Sequence, residues 1–301
     1  MNAAPPPATT RAAEFHYRLP ATFGGQRPGA HRGSSLGAGL GFAAHKRLFD
    51  HPDPRRLDLR ASMRDVRGEW LVRIQRQRVA VPVHAVVDVS ASMHFGAERS
   101  KLQVVADFIE ALGQSAFRAG DALGLLAFDH GARDDLFTPA RHSRGAGLLM
   151  AEALRACGAE SAYQHDHAHR HTVEALQRSV ARLAGRAGLV FLVSDFHWPL
   201  EPLHAELEQL VPACVVPIVV WDPAEIEPPD AHALVAVSDA ETGVRRTLWM
   251  RESLRRKWID AVVARRAALQ QLFEQHGLAP FHLQGRFDAE ALTRHFIEAV
   301  A

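Results

Sequence analysis

The residues of this chain best suited to chemistry are Asp88, Ser90 and Ser92, spaced as Asp-x-Ser-x-Ser where the apolar run His84-Ala-Val-Val-Asp88 ends. One carboxylate and two hydroxyls in a single turn make a hard oxygen set, which suits Mg²⁺ better than any softer metal. The same residue types favour helix caps, so on these three alone a cap and a cation site stand level. Asp195 tips the balance. It follows a second apolar run, Leu189-Val-Phe-Leu-Val193, in the same way. Carboxylates that end buried parallel strands share the crest where open α/β sheets put their ligands, and a cation between them would offset their repulsion.

The elements that must position these groups follow from periodicity. Residues 123–128 and 214–221 are further apolar strand segments, and Trp70, Val72 and Ile74 alternate as in a half-exposed strand leading into the central one. Ser100 with Gln103 makes a capping box, Leu102, Val105, Ile109, Leu112 and Ala116 keep helical spacing, and Gly120 ends that helix. Helices are also expected over 148–157, 173–184, 203–210, 251–276 and 289–300, with a hairpin turned at Asp239 to Gly243 and a strand at 281–283. Strands alternating with helices predict a doubly wound, mainly parallel α/β sheet with flanking helices, Rossmann-like in class. We divide the chain into a flexible N-terminal tail (1–36), a strand and loop extension (37–80), the α/β domain (81–250) and a helical extension packed on it (251–301). Residues 33–41 read as loop within the Pro-, Gly- and Ser-rich beginning.

Composition narrows the function. With 301 residues and 47% hydrophobic content the chain can bury a core, and a formal charge of +1 points to no polyanionic partner. Arginines dense between 46 and 78 are interleaved with acids and few aromatics, which favours salt-bridged strands over a nucleic-acid face. Cys157 and Cys214 lack metal spacing and read as reduced, buried small residues. No apolar run reaches the length of a membrane helix and no signal peptide is evident, so a soluble, cytoplasmic protein is expected.

Other chemistries are weaker. His165, His167, His169 and His171 point to one face if extended, and His167 and His171 are neighbours if helical, so Zn²⁺ or Ni²⁺ could bind there. A solvated loop, or a pH-sensitive rim for a partner, are the other readings. Ser90 or Ser92 with His84, His94 and Asp195 resembles a hydrolase triad only superficially, since the serines lack a Gly-x-Ser-x-Gly elbow and His84 lies inside a strand. No phosphate-binding loop or dinucleotide fingerprint is present. Glu225, Asp239 and Glu241 read as loop capping and turn chemistry.

Taken together, Asp88-Val-Ser-Ala-Ser-Met-His-Phe-Gly96 with Asp195 resembles the metal-ion-dependent adhesion site of von Willebrand factor A domains. More narrowly, Arg56-Leu-Asp58-Leu-Arg60, Gly120-Asp121-x-x-Gly124, Ser194-Asp195-Phe196, Asp222-Pro-x-Glu225 and Asp239-Ala-Glu-Thr-Gly243 resemble bacterial domain-of-unknown-function family 58. The resemblance implies that Ser90 and Ser92 bind Mg²⁺ (or Mn²⁺ or Ca²⁺) directly, with Asp88 and Asp195 acting directly or through water. A partner's carboxylate completes the shell. It also implies a threonine ligand. Here Thr172 is the candidate and Thr138 a poorer one, because the family's Gly-Thr-Asp is replaced by His167-Ala-His-Arg-His171-Thr172. Leu59 stands where the family tends to have Trp. The function so implied is a non-enzymatic, Mg²⁺-dependent adaptor that works with a MoxR-type AAA+ ATPase. Its task would be the assembly, maturation or metallation of a client complex such as methanol dehydrogenase. The alternatives are an interaction domain with a vestigial site and a metal-dependent hydrolase.

Overall fold

The computed structural model describes residues 14–20, 22–24, 27–37, 41–158, 168–238 and 244–299. In chain order the elements are β1 (Pro28–Gly37), β2 (Gly41–Arg47), α1 (Leu59–Arg64), β3 (Leu71–Val79), β4 (Pro82–Asp88), α2 (Lys101–Ala119), β5 (Ala122–Phe128), β6 (Thr138–Arg141) and α3 (Ala146–Ala156). There follow α4 (Ala168–Ala181), β7 (Leu189–Ser194), α5 (Leu203–Gln209), β8 (Cys214–Trp221), α6 (Pro223–Ile226), β9 (Leu234–Ser238), β10 (Arg245–Trp249), α7 (Glu252–Gln275), β11 (Phe281–Gln284) and α8 (Ala289–Glu298).

The apolar runs form a six-stranded sheet in the order β11-β8-β7-β4-β5-β6, parallel except for β6 at one edge. These strands are apolar at successive positions because both faces are covered. Val83, Ala85, Val87, Phe191 and Ile218 face a core closed by α2, α3 and α8, whereas Val86, Val190, Leu192 and Val219 face one closed by α4, α5 and α7. From β4 the chain goes to β5 on one side and later to β7 on the other, which leaves a topological switch point at the carboxyl ends of β4 and β7. That is the end from which Asp88 and Asp195 emerge.

Two expectations need correction. Residues 14–20, 22–24 and 27–36 are not a flexible tail: Phe15, Tyr17, Leu19 and Phe23 are buried in the core, with Phe15 stacked on Phe108 and Phe296. Residues 33–41 are not all loop, since β1 and β2 flank β3 in a separate antiparallel sheet. Gly33 misleads because it lies inside a strand, where a Cβ would come 2.7 Å from the Gln77 carbonyl oxygen; the glycine is there for close backbone approach. The strand expected at 281–283 is present as β11, parallel beside β8 at the edge of the sheet. Asp239 to Gly243, the expected turn between β9 and β10, lie outside the described residues.

Candidate metal centre

Backbone pairing sets the site. Val87 lies opposite Val193 in the parallel pair β4/β7, so the next residues, Asp88 and Ser194, leave the sheet side by side. The Ser194 hydroxyl donates to Asp88 Oδ2 at 2.7 Å, and Trp198 Nε1 donates to the same oxygen at 3.2 Å. The Ser90 amide donates to Asp88 Oδ1 at 2.9 Å. Ser90 then begins a single 3₁₀ turn, residues 91–94, yet its hydroxyl does not cap that turn. It lies 3.3 Å from the Ser92 hydroxyl. Ser90 also bonds the Asp88 carboxylate and Ser92 that of Asp195. Thus Asp88, Ser90, Ser92 and Asp195 are brought together, with both carboxylates fully buried.

A strained turn follows Asp195. Phe196 has φ 53°, a left-handed backbone that a bulky side chain adopts at a cost, and its amide donates to Ser194 Oγ at 2.9 Å. The Arg265 guanidinium donates to the Phe196 and Trp198 carbonyls, which ties this turn to α7.

The sequence reading missed Lys101, whose ammonium is 2% exposed and donates to Asp195 Oδ2 and to Glu225 Oε1, each at 2.7 Å. Glu225 does cap α6 as expected, accepting from the Asp222 amide at 2.9 Å, but its other oxygen serves this ion pair. The signal for Lys101 was its rarity: the chain has lysine only at 46, 101 and 257, and this one sits just inside a capping box. Nothing in the sequence marked Ser194 and Trp198 as partners of Asp88.

The two carboxylates titrate in opposite directions. Burial, and then the Asp195 charge, push Asp88 up to about 6. Burial works upward on Asp195 too, but the Lys101 ammonium wins and holds it below the usual carboxylate range. The buried Lys101 ammonium is thus shared by Asp195 and the half-buried Glu225, while the Asp88 carboxylate is bonded to Ser194, Trp198 and Ser90. The residual negative charge and the two hydroxyls fit a hard cation. Among the described residues no three His, Cys, Asp or Glu side chains cluster to hold a metal by themselves, so such an ion would depend on Ser90 and Ser92.

The remaining candidates are placed as follows. Thr172 is buried in α4. Thr138 begins β6 at the sheet edge. His165 and His167 lie outside the described residues, and His169 and His171 fall in the first turn of α4. His84 sits within β4, four residues before Asp88 and roughly 13 Å away along the strand, so it is no base for either serine. Beside the crest, His197, Trp221, Glu225, Trp258, Val262 and Arg265 line an open cleft of about 490 Å³.

An uncharacterised protein in the moxR 3′ region of Paracoccus denitrificans is 32% identical over 95 residues, covering 32% of this chain and 90% of that protein. Similar solved structures include an aerotolerance-related membrane protein from Bacteroides fragilis (15% identity, TM-score 0.43, 73% of this chain and 98% of that one). BatB from Bacteroides thetaiotaomicron is comparable (15%, TM-score 0.41, 73% and 98%), and the SpRpn10 VWA domain is more distant (12%, TM-score 0.25, 46% and 89%). The expected cytoplasmic placement does not stand: the first of these structures is of a membrane protein. Among the described residues no helix is long and apolar enough to cross a membrane, which fixes no compartment. Residues 50–268 match the family described as protein of unknown function DUF58, and since this is more than half of the chain, the protein belongs to that family.

Proposed function

We propose that the protein is a non-catalytic adaptor that binds a partner through Mg²⁺ held at Asp88, Ser90, Ser92 and Asp195, with Thr172 as a further candidate ligand. The observation that carries this reading is the convergence of the Ser90 and Ser92 hydroxyls on two buried carboxylates at the switch point. Neutral hydroxyls leave a divalent ion under-neutralised, so a carboxylate from a partner would be drawn to complete its shell. Mn²⁺ or Ca²⁺ would be accepted on the same grounds.

The partner we infer is a MoxR-type AAA+ ATPase, acting with this chain on a client complex in assembly, maturation or metallation. The support is the relative in the moxR 3′ region. The test is co-purification of the chain with the MoxR-type ATPase encoded in the same genome, in Mg²⁺, in EDTA, and with Asp88→Ala. Retention only in Mg²⁺ and only by the unmutated chain supports the bridging ion. Equal retention in all three favours the second reading, a vestigial site, for which Lys101 already beside Asp195 is the specific observation. Retention in none removes the ATPase as partner.

A further inference from the structure

Lys101 stands where three physical preferences oppose it. It is the first residue of α2, at the positive end of the helix dipole. Its side chain is 2% exposed, though an ammonium resists burial. It also sits beside a site whose other features suit a cation. Two carboxylates from different connections, Asp195 after β7 and Glu225 in α6 after β8, converge on it to offset those costs. Local rules broken together at one position are expected where function requires it.

We propose that Lys101 is a resident cation that competes with a divalent ion for Asp195, so that the isolated protein binds Mg²⁺ weakly. This rests on the metal-binding reading and assigns it an internal regulator. Asp195 Oδ2 is turned to the ammonium, while Oδ1 accepts from the His197 amide at 3.2 Å. A divalent ion on the Ser90 and Ser92 hydroxyls would therefore share Asp195 with a fixed positive charge, in surroundings where water screens little. Glu225 anchors the ammonium from the other side and also lines the neighbouring cleft. A partner in that cleft would touch the group that holds Lys101 in place.

The test titrates Mg²⁺ alone into the full chain by calorimetry, for wild type, Lys101→Met, Lys101→Arg and the double variant Lys101→Met/Glu225→Gln. Thermal unfolding of each reports whether it folds. The double variant removes the ion pair and Glu225's charge together, so it serves if the single substitution does not fold. The expected result is Mg²⁺ binding tightened about tenfold or more in a folded variant lacking the ammonium, and unchanged in Lys101→Arg. Binding that appears only once Lys101 is removed supports the proposal in its strongest form. Equal or weaker binding without Lys101, beside measurable wild-type binding, overturns the competition and makes Lys101 a positioning residue. Binding by none of the proteins overturns the metal-binding reading itself, and this inference with it.

Discussion

The sheet carries buried aspartates at both ends, and they are treated differently. At the amino end of β5, Asp121 is saturated: Tyr17 donates its hydroxyl to Oδ2 at 2.6 Å, the Val81 amide donates to Oδ1 at 2.8 Å, and His31 Nε2 lies 2.7 Å from Oδ2. These partners come from the N-terminal segment, from β1 and from the link just before β4, so this carboxylate fastens separate pieces of chain together. At the carboxyl end Asp88 and Asp195 face each other, and Asp88 keeps its proton up to about pH 6. Both also accept hydrogen bonds, as Asp121 does, but these two carboxylates repel one another. Their mutual repulsion is tolerable where a cation is expected to come, and the Asp121 node is what such a group looks like when none is.

Substituting the fastening carboxylate should break this contrast with the largest effect. Asp121→Ala leaves a phenol, an imidazole and an amide without their acceptor, each a buried polar group costing about 1–3 kcal/mol. We expect a loss of roughly 3–5 kcal/mol in urea unfolding. Any Mg²⁺ binding at the crest should survive wherever the chain remains folded. A loss under 1 kcal/mol would mean that the node is not a fastener.

At the crest the sign reverses. Asp88→Asn removes a charge that burial and Asp195 disfavour, and should stabilise the metal-free chain by about 1–3 kcal/mol at neutral pH while abolishing Mg²⁺ binding. Destabilisation by the same amount would identify Asp88 as another structural anchor.

The pH dependence sharpens the same point. The folded-state value of about 6 for Asp88 lies above the ordinary 3.8. Between those limits the folded chain holds a proton that the unfolded chain has released, so Asp88 makes stability fall as pH rises through the window. Asp195, held low, acts oppositely: its contribution is complete above the ordinary carboxylate range and is lost as acid protonates it. The advantage of Asp88→Asn over wild type should therefore be small at pH 4 and reach its full size of about 1–3 kcal/mol by pH 7. Parallel stability curves for the two proteins would refute this.

Much of this was legible in the sequence where one local rule acted alone. The doubly apolar strands, the Ser100 and Gln103 capping box and the Gly120 stop left direct marks, and all are present in the structure. Asp88, Ser90, Ser92 and Asp195 were legible because strand ends meet at a sheet crest. What was not legible depended on pairs far apart in sequence. The Lys101 ion pairs span 94 and 124 residues, and the Ser194 to Asp88 bond spans 106. The N-terminal segment misled because its Pro- and Gly-rich composition outweighed the few aromatics, Phe15, Tyr17 and Phe23, that anchor it.

The smallest test weighs one bond of the fastening node. Tyr17→Phe removes only the hydroxyl, keeping the ring against His31 and Phe296. Asp121 retains the Val81 amide on Oδ1 and His31 beside Oδ2, so no carboxylate oxygen is stripped of its neighbours. The loss should be about 1 kcal/mol, that of a single charge-assisted hydrogen bond whose acceptor stays satisfied. Burial, and then the Asp121 charge, hold the Tyr17 phenol well above its ordinary range, so wild type should show no phenolate absorbance from this ring until it unfolds in alkali. Early titration of Tyr17 would place it outside the core and dissolve the contrast between the two ends of the sheet.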